Sequence, residues 1–540
     1  MSKFEFTDSV WDLRVSPQLI HHAEQLSQYW GHLVVSVLSA YLVYGIAVGV
    51  HRLYLSPLGR AGIPGPKLAA LTFFYEAYYE AWLGGQMFQH VRELHKKYGP
   101  VVRITPDEVH FDDPEVIDYV FPTAGRKTDK PSWLHTKTGT PESIFSTIHH
   151  DQHRQRRNAV SSFFSPASVH RLEHVLNDNL HKVLARLDAH GRSEEVIQIH
   201  YMFKALASDL ITFYSFDQCH NLLDAPDYGK KDFDATDSLF LMTHTGKVVP
   251  WLMTVFTRAP VWIVKILFPG LIAMRERREW WTNAVREIRA SPDPQRIKRT
   301  VFEGILSSKL PDSDKTDIRM AGEAQLVVLG GEGTTAWTMH AALYHILADP
   351  LVCKKLKAEL TTLPHTADGI PPLTEVENLP YLGAVIQESI RVHPGVMSRQ
   401  MRVSPEVPII YNDKRKGKTY SVPPGTVYSM SPVDVHMNPD YHEDPYEFRP
   451  ERWLENPSLG KYFLGFGKGS RNCLGMALAK RELALTLATI FTKYDLYRGQ
   501  DGPTMELYHT ERARDIDAHS DFISPFPAPG SLGLRVKIRA

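Results

Sequence analysis

Cys473 lies in the string Phe466-Gly467-Lys468-Gly469-Ser470-Arg471-Asn472-Cys473-Leu474-Gly475, which runs directly into the helix-like Met476-Ala477-Leu478-Ala479-Lys480-Arg481-Glu482-Leu483. Glycines at 467, 469 and 475 permit tight turns and let backbone approach a flat ligand closely. A helix N-terminus behind the sulfur favours negative charge on it. A free thiol has a pKa of about 8.5, and that field plus a bound cation would hold it deprotonated. The string reads as a thiolate held out to a metal. Cys219 and Cys353, the other two cysteines, stand far from it and from each other, which argues against a disulfide framework and fits a reducing compartment.

The second constraint is at the N-terminus. No Asp, Glu, Lys or Arg occurs between Glu24 and Arg52, and residues 33–50 form an uncharged run about long enough to cross a bilayer as a helix. His51, Arg52, Arg60 and Lys67 follow with no acid before Glu76, whereas Lys3 and Arg14 are mixed with Glu5, Asp8, Asp12 and Glu24 on the other side. The positive-inside rule places the bulk of the chain in the cytosol. A cleaved signal peptide would need a shorter, basic leading region and a small-residue cleavage site. The expected division is therefore a lumenal segment 1–30, a transmembrane anchor 31–50, a basic and proline-rich hinge 51–70, and one catalytic domain 71–540. Lys+Arg and Asp+Glu both number 61, so no basic excess points to nucleic acid.

Beyond the hinge, where Ile63-Pro64-Gly65-Pro66 cannot be helical, most segments have helical period. Residues 101–104 and 109–111, split by Thr105-Pro106-Asp107, read as a hairpin; further short strands are expected near 408–411, 419–422 and 533–538. The expected class is mainly α with a minor β region. Residues 248–270, aromatic and apolar but carrying Lys247, Arg258 and Lys265 and three prolines nearby, suit an interfacial position better than a spanning one.

Residues 321–348 form one long helical stretch whose centre reads Gly330-Gly331-Glu332-Gly333-Thr334-Thr335. Mid-helix glycines cost about 1 kcal/mol each relative to alanine, so another requirement is met there. Bare backbone beside hydroxyls would let dioxygen and water sit close. Glu388-Ser389-Ile390-Arg391 sets an acid and a base three apart on a helix face, and Pro450-Glu451-Arg452-Trp453 follows before the Cys473 string. His149 and His153 have zinc-ligand spacing, but no third and fourth ligand accompanies them.

In this order, the motifs resemble those of the cytochrome P450 superfamily over about residues 30–540. Phe466, Gly469, Arg471, Cys473 and Gly475 are similar to its haem-binding loop. The Lys97-Tyr98-Gly99-Pro100, Arg103-Ile104-Thr105-Pro106 and Asp112-Asp113-Pro114 strings resemble its fungal microsomal branch near trichodiene oxygenases. The resemblance implies the cytochrome P450 fold behind one N-terminal transmembrane helix. It implies haem b with Cys473 as axial thiolate, a ligand that favours O–O cleavage over reversible oxygen binding. Arg471, Arg157, His153 and Arg402 would serve the haem propionates, with Arg399 a rival to Arg402, and Phe466 would pack near the sulfur. Glu388, Arg391 and Arg452 would form a buried ion network. Thr334, Thr335 and Glu332 would serve proton delivery, although the family's acid position falls on Gly333 and its carboxylate comes one residue early, about 100° round the helix. Leu326, Gly330, Val396, Met397 and Ile523 would line the substrate pocket.

The activity so implied is insertion of one oxygen atom from dioxygen into an apolar small molecule of terpenoid, polyketide or alkaloid type in a fungal secondary-metabolite pathway. Electrons would come from NADPH through a separate cytochrome P450 reductase, with cytochrome b5 as a further donor, at the endoplasmic reticulum membrane. Lys461, Lys468, Arg154 and Arg156 are candidates for a basic face toward the reductase. The alternatives are a haem-thiolate enzyme performing isomerisation, dehydration or ring formation without net hydroxylation, and a non-catalytic haem-binding sensor.

Overall fold

The computed structural model describes residues 17–134, 139–252, 255 and 259–539. Pro17 opens α1 (Pro17–Val50), which at 1.5 Å per residue is about 50 Å long. Its apolar stretch spans His32–Leu55 with mean hydropathy 2.2 and is not covered by the rest of the protein. The helix therefore starts before residue 31, and Leu53, Tyr54 and Leu55 carry the apolar run beyond residue 50. Residues 1–16, most of the expected lumenal segment, lie outside the described residues. The hinge is docked: Arg103 N donates to Pro64 O at 2.8 Å, and a Cβ on Gly65 would come 2.3 Å from Arg103 O.

α2 (Met87–Tyr98) buries Met87, Val91 and Leu94 against Val102 and Ile104. β1 (Val101–Arg103) and β2 (Glu108–Phe111) form the expected antiparallel hairpin. A helical layer follows: α3 (His150–Ser161), α4 (Glu173–Ser193), β3 (Val196–Gln198), α5 (Ile199–Phe216), α6 (Lys230–Leu241), α7 (Thr243–Val248), α8 (Val261–Leu267) and α9 (Ile272–Ala290). Between α7 and α8, Trp251 is exposed, as are Trp262, Ile266 and Leu267 on α8; Arg258 lies outside the described residues.

α10 (Asp317–Ala348) runs through the centre as an unbroken α-helix, capped by Thr316, whose hydroxyl accepts from Arg319 N. Ala324, Val328, Ala336, Met339 and Leu343 join it to the main core. α11 (Pro380–Val392) leads to β4 (Gln400–Val403), the hairpin β5 (Ile409–Asp413) and β6 (Lys418–Val422), and β7 (Val427–Met430). The first sheet has the order β1-β2-β7-β4, with β2 and β7 parallel. α12 (Met476–Lys493) follows the Cys473 string, then β8 (Asp495–Leu496), β9 (Thr504–Leu507), the hairpin β10 (Ser520–Phe522) and β11 (Ser524–Phe526), and β12 (Arg535–Arg539), which pairs with β3 and β9. The architecture is mainly helical with a minor β region.

Candidate active site

The Cys473 loop is built from two left-handed glycines. Gly467 (φ 64°) closes a turn in which its N–H donates to Leu464 O at 2.8 Å. Gly469 (φ 72°) packs so tightly that a Cβ would come 2.4 Å from Phe121 O. Beyond it the chain returns, and Cys473 N donates to Phe466 O at 2.8 Å. α12 then starts at Met476. Cys473 is the exposed cysteine of the three, yet burial pushes its thiol pKa up, with the Gly475 backbone and Arg157 pulling it back. Both hold if the sulfur opens onto a hollow inside the protein rather than onto bulk water. The expected helix-end field does not by itself ionise the thiol; a bound cation must supply the rest.

Basic side chains collect around that loop. Arg157 on α3 is held by Asn472, its guanidinium donating to Asn472 O and Oδ1 at 2.8 Å each. Arg471 donates to Thr147 O at 2.8 Å and Ile148 O at 2.7 Å. Arg402 on β4 is buried and lies 5.2 Å from the Phe121 ring. His153 is buried one turn before Arg157. A fifth member, Lys130, was not foreseen: the reciprocal backbone bonds of Asp129 with Val403, both 2.8 Å, bring it beside β4, where its ammonium lies over the Phe145 ring. Burial, reinforced by the neighbouring cations, lowers Arg471 to about 9, Arg402 to about 10 where burial acts almost alone, His153 to about 2, and Lys130 well below its ordinary value.

Among the described residues none of these groups has a carboxylate partner within salt-bridge distance, and Arg471 Nε is buried without a hydrogen-bond partner. Buried cations require an anion. The set fits a flat group that carries carboxylates on one edge and offers a metal to Cys473, which is the chemistry of haem. Arg399 is not part of it. Its guanidinium is taken by Glu76 at 2.7 Å, Glu80 at 2.9 Å and Glu108 at 3.1 Å, whereas Arg402 has no carboxylate partner among the described residues.

Glu388 on α11 receives Arg391 at 2.8 Å, Arg452 Nε at 3.0 Å, Trp453 Nε1 at 2.9 Å and Arg449 N at 2.9 Å. Arg391 also donates to His436 O at 2.9 Å and Pro445 O at 2.7 Å. His436 in turn accepts Leu464 N at 2.8 Å, which joins the network to the turn before Cys473.

On the helix opposite, Thr334 donates its hydroxyl to Gly330 O at 2.8 Å, and Gly395 packs against it so closely that a Cβ there would come 3.0 Å from Thr334. A Cβ at Gly330 or Gly333 would meet nothing within 4 Å. Thr335 is buried. Glu332 is two residues from Thr334, about 200° round the helix. Both its carboxylate oxygens are held by Arg277 of α9, at 2.7 and 3.1 Å, and Arg277 also donates to Thr236. With α10 undistorted, the structure does not bring Glu332 and Thr334 together on one face, as a shared relay would need.

Leu326 and Val396 are half-buried, and Ile523 is the lone tip residue of the β10–β11 hairpin, at φ 73°, a conformation rare for a β-branched residue. Met397 does not fit the pocket expectation. It is buried with Phe88 and Val433 in a separate apolar cluster.

The sequence model of the family described as Cytochrome P450 matches residues 64–510. The cytochrome P450 monooxygenase tpcC of Cochliobolus heterostrophus is 36% identical over 512 residues, covering 94% of this chain and 97% of that protein. N-acetyltryptophan 6-hydroxylase ivoC of Emericella nidulans is 34% identical over 508 residues, 92% of this chain and 96% of its own length. Tryptophan 6-hydroxylase fscE of Fusarium equiseti is 34% identical over 515 residues, with coverage of 94% and 96%. Matches of this extent, on a chain that sets an open thiol amid unpaired cations, show that it belongs to the cytochrome P450 family, as a monooxygenase.

Proposed function

We propose that this protein is a membrane-anchored haem-thiolate monooxygenase of fungal secondary metabolism, acting on an apolar small molecule of terpenoid, polyketide or alkaloid type. The observation that carries the reading is the enclosed Cys473 thiol near five basic groups that have no carboxylate within salt-bridge distance among the described residues. Haem, when bound, supplies reductive activation of dioxygen and delivery of one oxygen atom to a C–H bond.

The chain supplies the rest. Cys473 donates the thiolate. Lys130, Arg157, Arg402 and Arg471 would hold the propionates by charge-assisted bonds, and neutral His153 would offer a ring N–H to them. Thr334, on the glycine-opened face of α10, holds a proton at Oγ1, at present directed to Gly330 O. Leu326, Val396 and Ile523 exclude water and orient an apolar substrate. Two relatives act, by their names, on N-acetyltryptophan and on tryptophan; this supports a small-molecule substrate for this chain as well.

Electrons reach the site from NADPH through a separate reductase, with cytochrome b5 as a further donor. The docking face is narrower than expected: half-buried Arg156 pairs with Asp314, Lys461 pairs with Glu115 at 3.2 Å, and Lys468 lies 3.6 Å from Asp118. Of the expected set, Arg154 remains exposed and without a salt-bridge partner among the described residues. α1 anchors the protein in the endoplasmic reticulum membrane with the catalytic domain cytosolic.

The test is the carbon monoxide difference spectrum of the reduced protein. Wild type should give the band of thiolate-ligated haem, and Cys473→Ser should lose it; retention of that band in the variant overturns the assignment. A second reading, haem-thiolate chemistry without net hydroxylation, is favoured by Gly333 at the acid position and by the capture of Glu332 by Arg277. Turnover that persists without dioxygen and reductant would establish it.

A further inference from the structure

We propose a second ligand site behind α10, taking a neutral aromatic molecule that carries a hydroxyl group. A cavity of about 360 Å³ lies between α5, α6, α10 and the chain after β10. That is within the range of small-molecule sites, of order 300–1,000 Å³. On α10 it is bordered by Gly333, Trp337 and His340, spaced i, i+4 and i+7 on one face. Around the helix Thr334 lies about 100° and Gly330 about 60° from Gly333, so the cavity adjoins the oxygen-side groove and meets it at Gly333.

The aromatic rings of Phe233, Phe240 and Phe526 form walls suited to a flat ligand. Polar groups converge on it. His340 Nε2, Trp337 Nε1 and His200 Nδ1 are buried and have no hydrogen-bond partner among the described residues. His340 is 95% buried by its 5% exposure, and its ring lies 5.3 Å from that of Trp337 and 6.1 Å from that of His200. Such groups are costly unless something pairs with them. Trp337 can only donate, whereas His340, whose ring already donates to the Asp515 backbone, offers Nε2 as an acceptor, so a hydroxyl, which both accepts and donates, suits them.

The charges on the walls are already balanced within the protein. Glu332 is paired with Arg277 at 2.7 Å and Lys204 with Asp237 at 2.9 Å. Burial holds the His340 imidazole neutral, with its pKa lowered to about 4. A charged ligand would therefore find no counterion free, and a neutral one is selected. Leu532, exposed at the rim, gives the cavity its own opening to solvent, so occupation does not require passage over the haem. The ligand would rest against bare backbone at Gly333, next to Thr334, where a Cβ would meet nothing within 4 Å.

The experiment uses full-length holoenzyme with its iron saturated by 4-phenylimidazole, followed by titration with 2-naphthol, read by fluorescence and calorimetry. One equivalent of 2-naphthol should still bind. Trp337→Phe, which keeps a ring and removes the N–H, should weaken it about 5-fold or more, the order expected for loss of one hydrogen bond. Phe240→Ala, which removes one ring wall, should weaken it by a similar factor. Both variants should keep the wild-type azole titration of the Soret band, which controls for folding. Complete exclusion of 2-naphthol by the azole, or wild-type naphthol affinity in both variants, overturns the site. An absent azole shift in wild type would instead overturn the haem reading, and the fluorescence titration of 2-naphthol with the two variants would then decide the second site alone.

Discussion

At the scale of single residues, two acids on long helices have opposite situations. Glu332 is neutralised by Arg277, whereas Glu482 on α12 is buried with one carboxylate oxygen unpartnered, and burial alone raises its pKa to about 8. The folded protein thus binds a proton at Glu482 that the unfolded chain, with a pKa near 4.5, has released by neutral pH. Folding stability from this group is full below the unfolded pKa and falls as pH rises between about 4.5 and 8. Glu482→Gln should raise the melting temperature of the holoenzyme at pH 8 by several degrees and leave it nearly unchanged at pH 5, as followed by scanning calorimetry; an equal shift at both pH values would contradict the burial argument. Glu332→Gln should instead destabilise the fold. It leaves Arg277 buried without its partner, a loss of about 3–5 kcal/mol, while coupling of reductant to product stays intact. Thr334→Ala should keep stability and uncouple reductant use from product. If the coupling defect appears instead in Glu332→Gln, the proton path runs through Glu332 after all.

At the scale of elements, the brace around Glu388 shows why distance along the chain decides what can be read in advance. The Glu388-x-x-Arg391 pair and the Cys473 string are local patterns, so their chemistry is legible in the letters. The same holds for the β1–β2 hairpin and the run of α10. Lys130 is different: it joins the cation ring because Asp129 bridges Val403, and no local spacing announces a contact that remote. The Glu332 to Arg277 pair spans 55 residues, and Met397 left the pocket because Phe88 and Val433 offered it an apolar site. What stayed hidden was therefore partner choice rather than residue type. The brace itself should act as a unit. Glu388→Gln leaves Arg391 and Arg452 in a dry interior and loosens the His436 to Leu464 link, so the variant should express with little haem, seen as a fall in Soret absorbance per protein. Gly469→Ala, which forces a Cβ against Phe121 O, should show the same loss. Full haem content in either would mean that the loop can form without the support described.

At the scale of the whole molecule, two apolar surfaces face the same task. α1 offers a stretch long enough to cross a bilayer, and Trp251, Trp262, Ile266 and Leu267 form an exposed apolar set near α8. Between them the docked hinge fixes orientation: Arg103 holds Pro64 O, and its Nη1 donates to Arg52 O at 3.0 Å, so the catalytic domain cannot swing freely about the anchor. If both surfaces meet one membrane, they should be separable. Removal of residues 1–55 should leave a haem-containing protein that still binds lipid vesicles, because partly burying several large apolar side chains contributes on the order of 1 kcal/mol each. Trp251→Ser with Trp262→Ser in that truncated protein should release it into the supernatant, since a single weak contact gives only reversible association. In the full-length protein the same pair should not detach it, since α1 alone suffices. Vesicle flotation reads all three cases. Equal retention of both truncated forms would show that the α8 surface faces away from the bilayer, and the rigid hinge would then require a different tilt of the domain on its anchor.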